Sequence, residues 1–222
     1  MNPEFPKTDF CYTIEGNIGC GKSTFLELLR RKVPEAQWIE EPVADWQNLN
    51  GTGINMLDHY YKEPKRWGFT FQTYAIFTRL QKMHEAKQRF PDKIKISERS
   101  ILADKYVFSQ LMKDLGYMDE SEYEVFKSLY TSFESMSDID RTKVIYLRCT
   151  PDKCYERLKQ RKRSEESEVP LEYLKMIHEK HEQWFKTYPS DKVLIIDTTE
   201  DFKNDPVKAR DLLARLKEFM ES

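Results

Sequence analysis

Short apolar runs alternate with longer amphipathic stretches over most of the chain. Five apolar, β-prone runs predict strands at 11–14, 38–40, 93–97, 143–147 and 192–196. Apolar residues recur with helical spacing at about 22–32, 44–60, 64–88, 101–115, 119–136, 151–162, 170–187 and 205–221. Strands that alternate with helices predict an α/β fold, in which helices cover both faces of a parallel sheet. Because no repeat or low-complexity linker interrupts this pattern, we expect a single domain over residues 1–222.

The composition argues against several classes of partner. A chain of 222 residues suits one α/β domain, and its net charge of −2 gives no overall basic field for binding nucleic acid. No apolar run approaches the ~20 residues of a membrane-spanning helix, so we expect no membrane partner. The N-terminal residues 1–10 carry neither an apolar signal core nor an Arg-rich presequence. This predicts a cytoplasmic protein, or a mitochondrial one if a presequence has been removed.

A glycine-rich segment directly follows the first predicted strand. It reads Gly16-Asn-Ile-Gly-Cys-Gly-Lys22-Ser23, which is the spacing of a phosphate-binding loop between a strand and a helix. The glycines permit a tight turn whose backbone N–H groups point inward, and the helix N-terminus adds partial positive charge. We expect Lys22 to reach the β- and γ-phosphates of a nucleotide and Ser23 to help hold Mg²⁺.

Charged residues also follow the later predicted strands. Ligands of such sheets bind beyond the carboxyl ends of the strands, where this chain has Glu40-Glu41, Glu98-Arg99 and an Arg-rich segment that ends at Arg163. Phosphoryl transfer to a hydroxyl needs a carboxylate base, a metal ligand and cations beside a phosphate loop. Each set also has a purely structural alternative: surface acids at a strand end, an ion pair that caps a helix, and a solvated basic helix end.

The chain resembles the cellular deoxynucleoside kinases over nearly its whole length. The resemblance is carried by EGNIGCGKST at 15–24, EPVADW at 41–46, RWGFTFQTYA at 66–75, ERS at 98–100, PLEYL at 170–174 and EDF at 200–202, with His178 to Trp184. It implies a P-loop kinase fold with an Arg-rich lid at about 159–169, ATP with Mg²⁺ as the phosphoryl donor, and a deoxynucleoside as the acceptor. It also implies a homodimer and feedback inhibition by a deoxynucleoside triphosphate.

The resemblance further assigns roles to individual residues. Glu41 would take the proton of the 5′-hydroxyl, Arg99 would hold Glu41 in place, and Ser23 and Glu98 would serve Mg²⁺ beside the catalytic Lys22. ATP contacts are implied for Gly16, Asn17, Ile18, Gly19, Cys20, Gly21, Lys22, Ser23, Thr24, Arg157, Arg161, Arg163, Asp201 and Phe202. Nucleoside contacts are implied for Ile18, Glu41, Val43, Trp46, Leu57, Tyr60, Tyr61, Phe71, Gln72, Ala75, Arg79, Arg99, Asp104, Phe108 and Glu166.

Within these sets, the resemblance divides the work between the two ends of the site. Gln72 would read the base edge with one donor and one acceptor, inside a ring of aromatic side chains. Tyr61 and Glu166 would bind the 3′-hydroxyl of the sugar. Arg157 and Phe202 would enclose the adenine of ATP, while Arg161 and Arg163 would close over its phosphates.

Three positions of the implied base pocket bear on the choice of nucleoside. They read Ala75, Arg79 and Asp104, which resembles the deoxycytidine and deoxyguanosine kinases rather than the thymidine-accepting members. We therefore expect deoxycytidine, deoxyadenosine or deoxyguanosine to be favoured over thymidine. Tyr60 departs from the family pattern, which usually has methionine there, and leaves the order among the three bases open.

Rival functions fit the residues less well. A nucleoside-monophosphate kinase of the thymidylate kinase type shares the fold and the loop, but its acceptor is an ionised phosphate that needs no carboxylate base. Glu41 therefore favours a hydroxyl acceptor. A GTPase-like switch would need a guanine-reading Asn-Lys-x-Asp, which this chain lacks. His178 and His181 have no third metal ligand near them in sequence, so a metal or redox protein is not predicted.

Overall fold

A computed structural model describes residues 10–137, 139–161, 169–200, 202 and 205–222. In this part of the chain, five parallel strands form one sheet in the order β2-β3-β1-β4-β5. The strands are β1 (Cys11–Gly16), β2 (Gln37–Ile39), β3 (Lys95–Glu98), β4 (Thr142–Arg148) and β5 (Val193–Asp197). The predicted parallel α/β sheet is thereby confirmed.

Helices connect the strands and cover the sheet. They are α1 (Lys22–Arg30), α2 (Val43–Gln47), α3 (Met56–Lys62), α4 (Pro64–Arg89), α5 (Ile101–Ala103), α6 (Gln110–Asp114), α7 (Glu120–Ser135), α8 (Pro151–Arg161), α9 (Leu171–Thr187) and α10 (Pro206–Glu221). Short 3-10 turns lie at Leu49–Gly51, Ile139–Arg141 and Ser190–Lys192. Among the described residues, no helix combines the length and the apolar character that crossing a membrane requires.

The sheet separates two hydrophobic cores. Along β4, Ile145 and Leu147 pack into the core that contains Phe25 of α1, whereas Val144 and Tyr146 pack into the other. Successive strand residues point to opposite faces, so both faces of the sheet are buried under helices. This arrangement explains why the central strands read as continuous apolar runs.

Parallel pairing sets the carboxyl ends of β1 and β3 side by side. Ile14 of β1 lies in register with Glu98 of β3 and with Ile145 of β4. The loop that leaves β1 and the turn that leaves β3 therefore emerge at the same edge of the sheet. Every functional group described below is carried by this edge or by a helix that borders it.

Two predicted helices differ from the structure. The predicted helix at 44–60 is wrong as one element, because Asn50, Gly51 and Gly53 have positive φ angles that an α-helix cannot contain. The chain restarts as α3, whose Asn55 side chain accepts a hydrogen bond from the backbone N–H of Asp58. The predicted helix at 101–115 is continuous to Asp114, but its central part, Asp104–Ser109, is a π-helix.

Candidate active site

A cleft of about 870 Å³ opens at the carboxyl edge of the sheet. It runs from the phosphate loop, past the ends of β2 and β3, to an aromatic pocket between α3 and α4. The predicted site residues that line it are Ile18, Gly19, Gly21, Lys22, Ser23, Thr24, Glu41, Val43, Trp46, Leu57, Tyr60, Tyr61, Phe71, Gln72, Ala75, Arg79, Glu98, Arg99, Asp104, Phe108, Arg157, Arg161 and Phe202. One concave surface thus brings together residues from most of the chain.

The loop after β1 has the geometry of a phosphate cradle. Gly19 and Gly21 have φ angles of +80° and +101°, and a Cβ atom on Gly19 would lie 2.4 Å from the carbonyl oxygen of Cys154. Only glycine fits there without strain. The Lys22 ammonium donates to the carbonyl oxygens of Gly16 at 3.2 Å and Asn17 at 2.8 Å. Because an ammonium carries three protons, one proton stays available to a phosphate oxygen.

Ser23 and Glu98 form a pair of oxygen ligands beside the loop. The Ser23 hydroxyl donates to Glu98 Oε1 at 3.4 Å. Burial, followed by the nearby charge of Glu41, raises the pKa of Glu98 above its usual value. A cation at this position would relieve both effects. Hard oxygen ligands of this kind suit Mg²⁺, which takes few protein ligands and completes its shell with phosphate and water.

Glu41, just after β2, lies between two guanidinium groups. Arg79 Nη2 donates to Glu41 Oε1 at 2.8 Å, and Arg99 Nε donates to the same oxygen at 3.1 Å. Arg79 Nε also donates to both oxygens of Asp104, at 3.0 and 3.3 Å. Two cations and two carboxylates therefore share one largely buried cluster, in which the exposed fraction of the Glu41 side chain, 17%, is the largest.

The cluster fixes the charge of Glu41. Burial by itself raises the pKa of this carboxyl, but the guanidinium groups of Arg79 and Arg99 outweigh burial and lower the pKa to about 2. For Asp104 the balance differs, because burial raises its pKa above the usual value despite the contact with Arg79. Glu41 is thus ionised at neutral pH and can accept a proton.

Arg99 is held in a strained turn directly after β3. Its φ angle is +66°, a left-handed conformation that is uncommon for residues other than glycine. Its backbone N–H donates to the Ile14 carbonyl oxygen at 3.1 Å, and its guanidinium lies 4.7 Å from the ring centre of Phe108. The neighbouring Ser100 hydroxyl donates to the fully buried Glu15 at 2.7 Å. These contacts hold Arg99 in the strained conformation. A strained residue at a functional site persists only when its surroundings hold it in place.

Aromatic side chains enclose the far end of the cleft. The ring of Trp46 meets that of Phe71 edge to face, with centroids 5.3 Å apart, and the Trp46 indole N–H donates to the Thr78 hydroxyl at 3.0 Å. Gln72, one residue along α4 from Phe71, is buried and lines the same pocket. A cavity with aromatic walls and one carboxamide suits a planar, hydrogen-bonding ring such as a nucleobase.

Arg157 and Phe202 flank the opposite end of the cleft. A Cβ atom on Gly21 would lie 3.9 Å from Arg157 Nη1 and from Phe202 Cε1. Arg157 Nη1 donates to the carbonyl oxygens of Cys20 at 3.3 Å and Thr198 at 2.8 Å. These bonds hold the guanidinium against the phosphate loop, and a planar guanidinium can stack on an aromatic ring.

Some predicted residues lie elsewhere. The Asn17 amide donates to the Leu174 carbonyl oxygen at 2.8 Å and so faces the interior, and the Cys20 side chain is buried behind the loop. Neither residue, nor Gly16, lines the cleft. Arg163, Glu166 and Asp201, together with most of the predicted lid, lie outside the described residues.

The structure adds Tyr173 to the predicted set. Its ring lines the cleft, and its hydroxyl lies 2.6 Å from that of Tyr60. Tyr173 belongs to the PLEYL segment, so its presence in a motif was a usable signal. Its contact with Tyr60 could not be predicted from the sequence. The two residues are 113 positions apart, and no local spacing relates the first turn of α9 to α3.

One family model and several known proteins match most of this chain. The family model described as "Deoxynucleoside kinase" matches residues 12–221. Deoxycytidine kinase 2 of Gallus gallus is 36% identical, over all of this chain and 94% of its own length. The mitochondrial deoxyguanosine kinase of Xenopus laevis is 33% identical, over 94% of this chain and 88% of its own. A probable deoxycytidine kinase of fowlpox virus is 34% identical, over 94% and 87%.

Proposed function

The chain belongs to the deoxynucleoside kinase family, and from that premise we propose that it transfers the γ-phosphate of ATP to the 5′-hydroxyl of a deoxynucleoside. The product is the deoxynucleoside monophosphate. The observation that carries this proposal is the ionised Glu41 between two buried guanidinium groups, at the same sheet edge as the phosphate loop.

Glu41 is the general base of the proposed reaction. Among the described residues, the bonds from Arg79 and Arg99 both go to Oε1, so we assign the proton-accepting role to Oε2. A hydroxyl is a weak nucleophile that gains from a positioned base, whereas a phosphate acceptor is already ionised. The cluster therefore favours a nucleoside over a nucleoside monophosphate.

The remaining groups bind and orient the donor. Backbone N–H groups of the loop and Lys22 hold the β- and γ-phosphates, and Arg99 faces the charge that develops during transfer. Ser23 and Glu98 would hold Mg²⁺, which would neutralise part of the charge of the phosphates. Arg157 and Phe202 receive the adenine, and Arg161, which lines the cleft, belongs to the proposed lid with Arg163.

Arg79 and Asp104 select the base in this proposal. The buried pair costs desolvation unless its polar atoms are used, and Arg79 Nη1 is buried without a partner among the described groups. A donor at that position suits the ring nitrogens and exocyclic groups of cytosine or a purine, and Gln72 binds the same edge. The 5-methyl group of thymidine would lie against the charged Arg79–Asp104 pair, which is unfavourable for an apolar group. We therefore expect thymidine to be the poorest substrate.

The assembly of the protein is part of the same proposal. Phe77 on α4 and Val125 on α7 expose about half of their surfaces, and these helices pack together. Such a face supports a homodimer, which sedimentation would detect and Phe77→Glu would weaken. We also propose feedback inhibition by a deoxynucleoside triphosphate, whose base and phosphates would span both ends of the cleft.

A steady-state assay tests the function directly. The protein is given ATP and Mg²⁺ with deoxycytidine, deoxyadenosine, deoxyguanosine, thymidine or thymidine monophosphate, and kcat/KM is compared. We expect transfer to at least one of the first three and the lowest value among the nucleosides for thymidine. A thymidine preference would overturn the role of Arg79 and Asp104. Transfer to the monophosphate alone would overturn the role of Glu41.

A further inference from the structure

Two tyrosine hydroxyls meet inside the cleft. Tyr60 of α3 and Tyr173 of α9 place their phenolic oxygens 2.6 Å apart, and both rings line the cavity. This contact joins two helices that are remote in sequence. A movement of either helix away from the other would break it.

The Tyr60 ring is fixed on its other sides as well. It is only 4% exposed and stacks on Phe71, with ring centroids 4.7 Å apart and an angle of 18°. Its hydroxyl also lies 3.4 Å from Met112 Sδ. Because Phe71 and Tyr60 both line the cleft and stack on each other, Tyr60 supports the Phe71 wall and limits how far that wall can move.

Both hydroxyls are neutral at physiological pH. Burial raises the pKa of Tyr60, and burial also raises the pKa of Tyr173 to about 12. The contact is therefore an ordinary hydrogen bond between two phenols, in which one hydroxyl donates its proton to the other. The accepting hydroxyl can donate its own proton to a different group. A pair of this kind is directional and rigid, unlike an aliphatic contact that can repack.

We infer that Tyr60 and Tyr173 form a specificity-determining pair that restricts the aromatic end of the cleft to a single-ring base. The inference rests on the proposed function and addresses one part of what that proposal leaves open, the preference between cytosine and the purines. A purine carries a second fused ring. To admit it, the Phe71 wall and Tyr60 must shift, which costs both the stacking and the bond to Tyr173. We expect deoxycytidine, whose base has a single ring, to bind without that shift.

The test measures the ratio of kcat/KM for deoxycytidine to that for deoxyguanosine. The variants are Tyr60→Met, which replaces the ring with a flexible chain, and Tyr173→Phe, which removes one oxygen. We expect a ratio above one for the wild type. The ratio should fall by ~10-fold or more in Tyr60→Met, which is the size of effect that a changed pocket volume produces. It should fall by a smaller factor in Tyr173→Phe. The KM for ATP should not change.

A matched control is Tyr123→Phe. The Tyr123 hydroxyl donates to Gln110 Oε1 at 2.8 Å, away from the cleft, so this variant loses the same kind of bond and should keep the ratio. If Tyr60→Met does not fold, Tyr173→Phe decides the outcome, because it keeps the ring. An unchanged ratio in Tyr173→Phe and Tyr60→Met, or a wild-type preference for the purine, overturns the pair while leaving the kinase proposal intact. No transfer to any nucleoside by the wild type rejects both.

Discussion

Replacing Glu41 by glutamine isolates the proton-accepting step. The amide keeps the shape of the side chain and an oxygen that can accept from Arg79 and Arg99, but it loses the charge and the basicity. Loss of a positioned general base lowers turnover by ~10²- to 10⁴-fold, which corresponds to ~3–5 kcal/mol in the activation barrier. The KM for the nucleoside should change little, because Glu41 acts on the hydroxyl rather than on the base.

The same substitution also affects stability, and the structure sets the size of the effect. The surroundings lower the pKa of Glu41 from 4.5 to about 2, so at ~1.4 kcal/mol per pH unit they favour the ionised form by ~3 kcal/mol. Without that charge, the buried guanidinium groups of Arg79 and Arg99 each lose this carboxylate partner, although Arg79 keeps its bonds to Asp104. We expect Glu41→Gln to lower the free energy of unfolding by a similar amount, as the loss of one partner from a buried ion pair does.

Turnover and urea unfolding are therefore measured on the same preparation. Glu40→Gln is the matched control, because Glu40 is exposed at the rim and pairs with Arg30 on the surface. Such surface pairs contribute at most ~1 kcal/mol, and this variant should keep wild-type turnover. Near-normal kcat for folded Glu41→Gln would refute the base role. Equal losses in both variants would show that the effect is not specific to the buried carboxylate.

Three further predictions follow from the geometry. Gly19→Ala should raise the KM for ATP and destabilise the fold by at least ~1–3 kcal/mol. Gly51 has a φ angle of +74°, but a Cβ atom there would have no atom within 4 Å, so Gly51→Ala should cost only the backbone strain. Thermal melts of the two variants would measure the difference in stability. Gln72→Ala should raise the KM for the nucleoside more than the KM for ATP, and equal effects would contradict its contact with the base. Glu41 should contribute stability that is complete above its ordinary pKa of 4.5 and is lost as the pH falls through about 2; acid unfolding of wild type and Glu41→Gln should therefore converge in that range.

Much of the site could be anticipated because its chemistry is local in sequence. The phosphate loop is contiguous, and Glu41 and Arg99 each follow a strand directly, so the rule that ligands bind at the carboxyl edge of a parallel sheet was enough to group them. The interruption between α2 and α3 was harder to predict from the sequence. Its apolar spacing suits a helix, and the decisive feature is the set of positive φ angles at Asn50 and Gly51, which helical periodicity does not report.

The sequence by itself determined the order of strands and helices, the phosphate loop and the residue types available at one edge of the sheet. Tertiary structure decided which of them touch: that both guanidinium bonds go to one oxygen of Glu41, that Arg99 is held at φ +66°, and that Tyr60 meets Tyr173. The physical reason is range. Periodicity and turn chemistry act over a few residues, whereas pKa values, strain and pocket shape depend on burial and on contacts between distant segments.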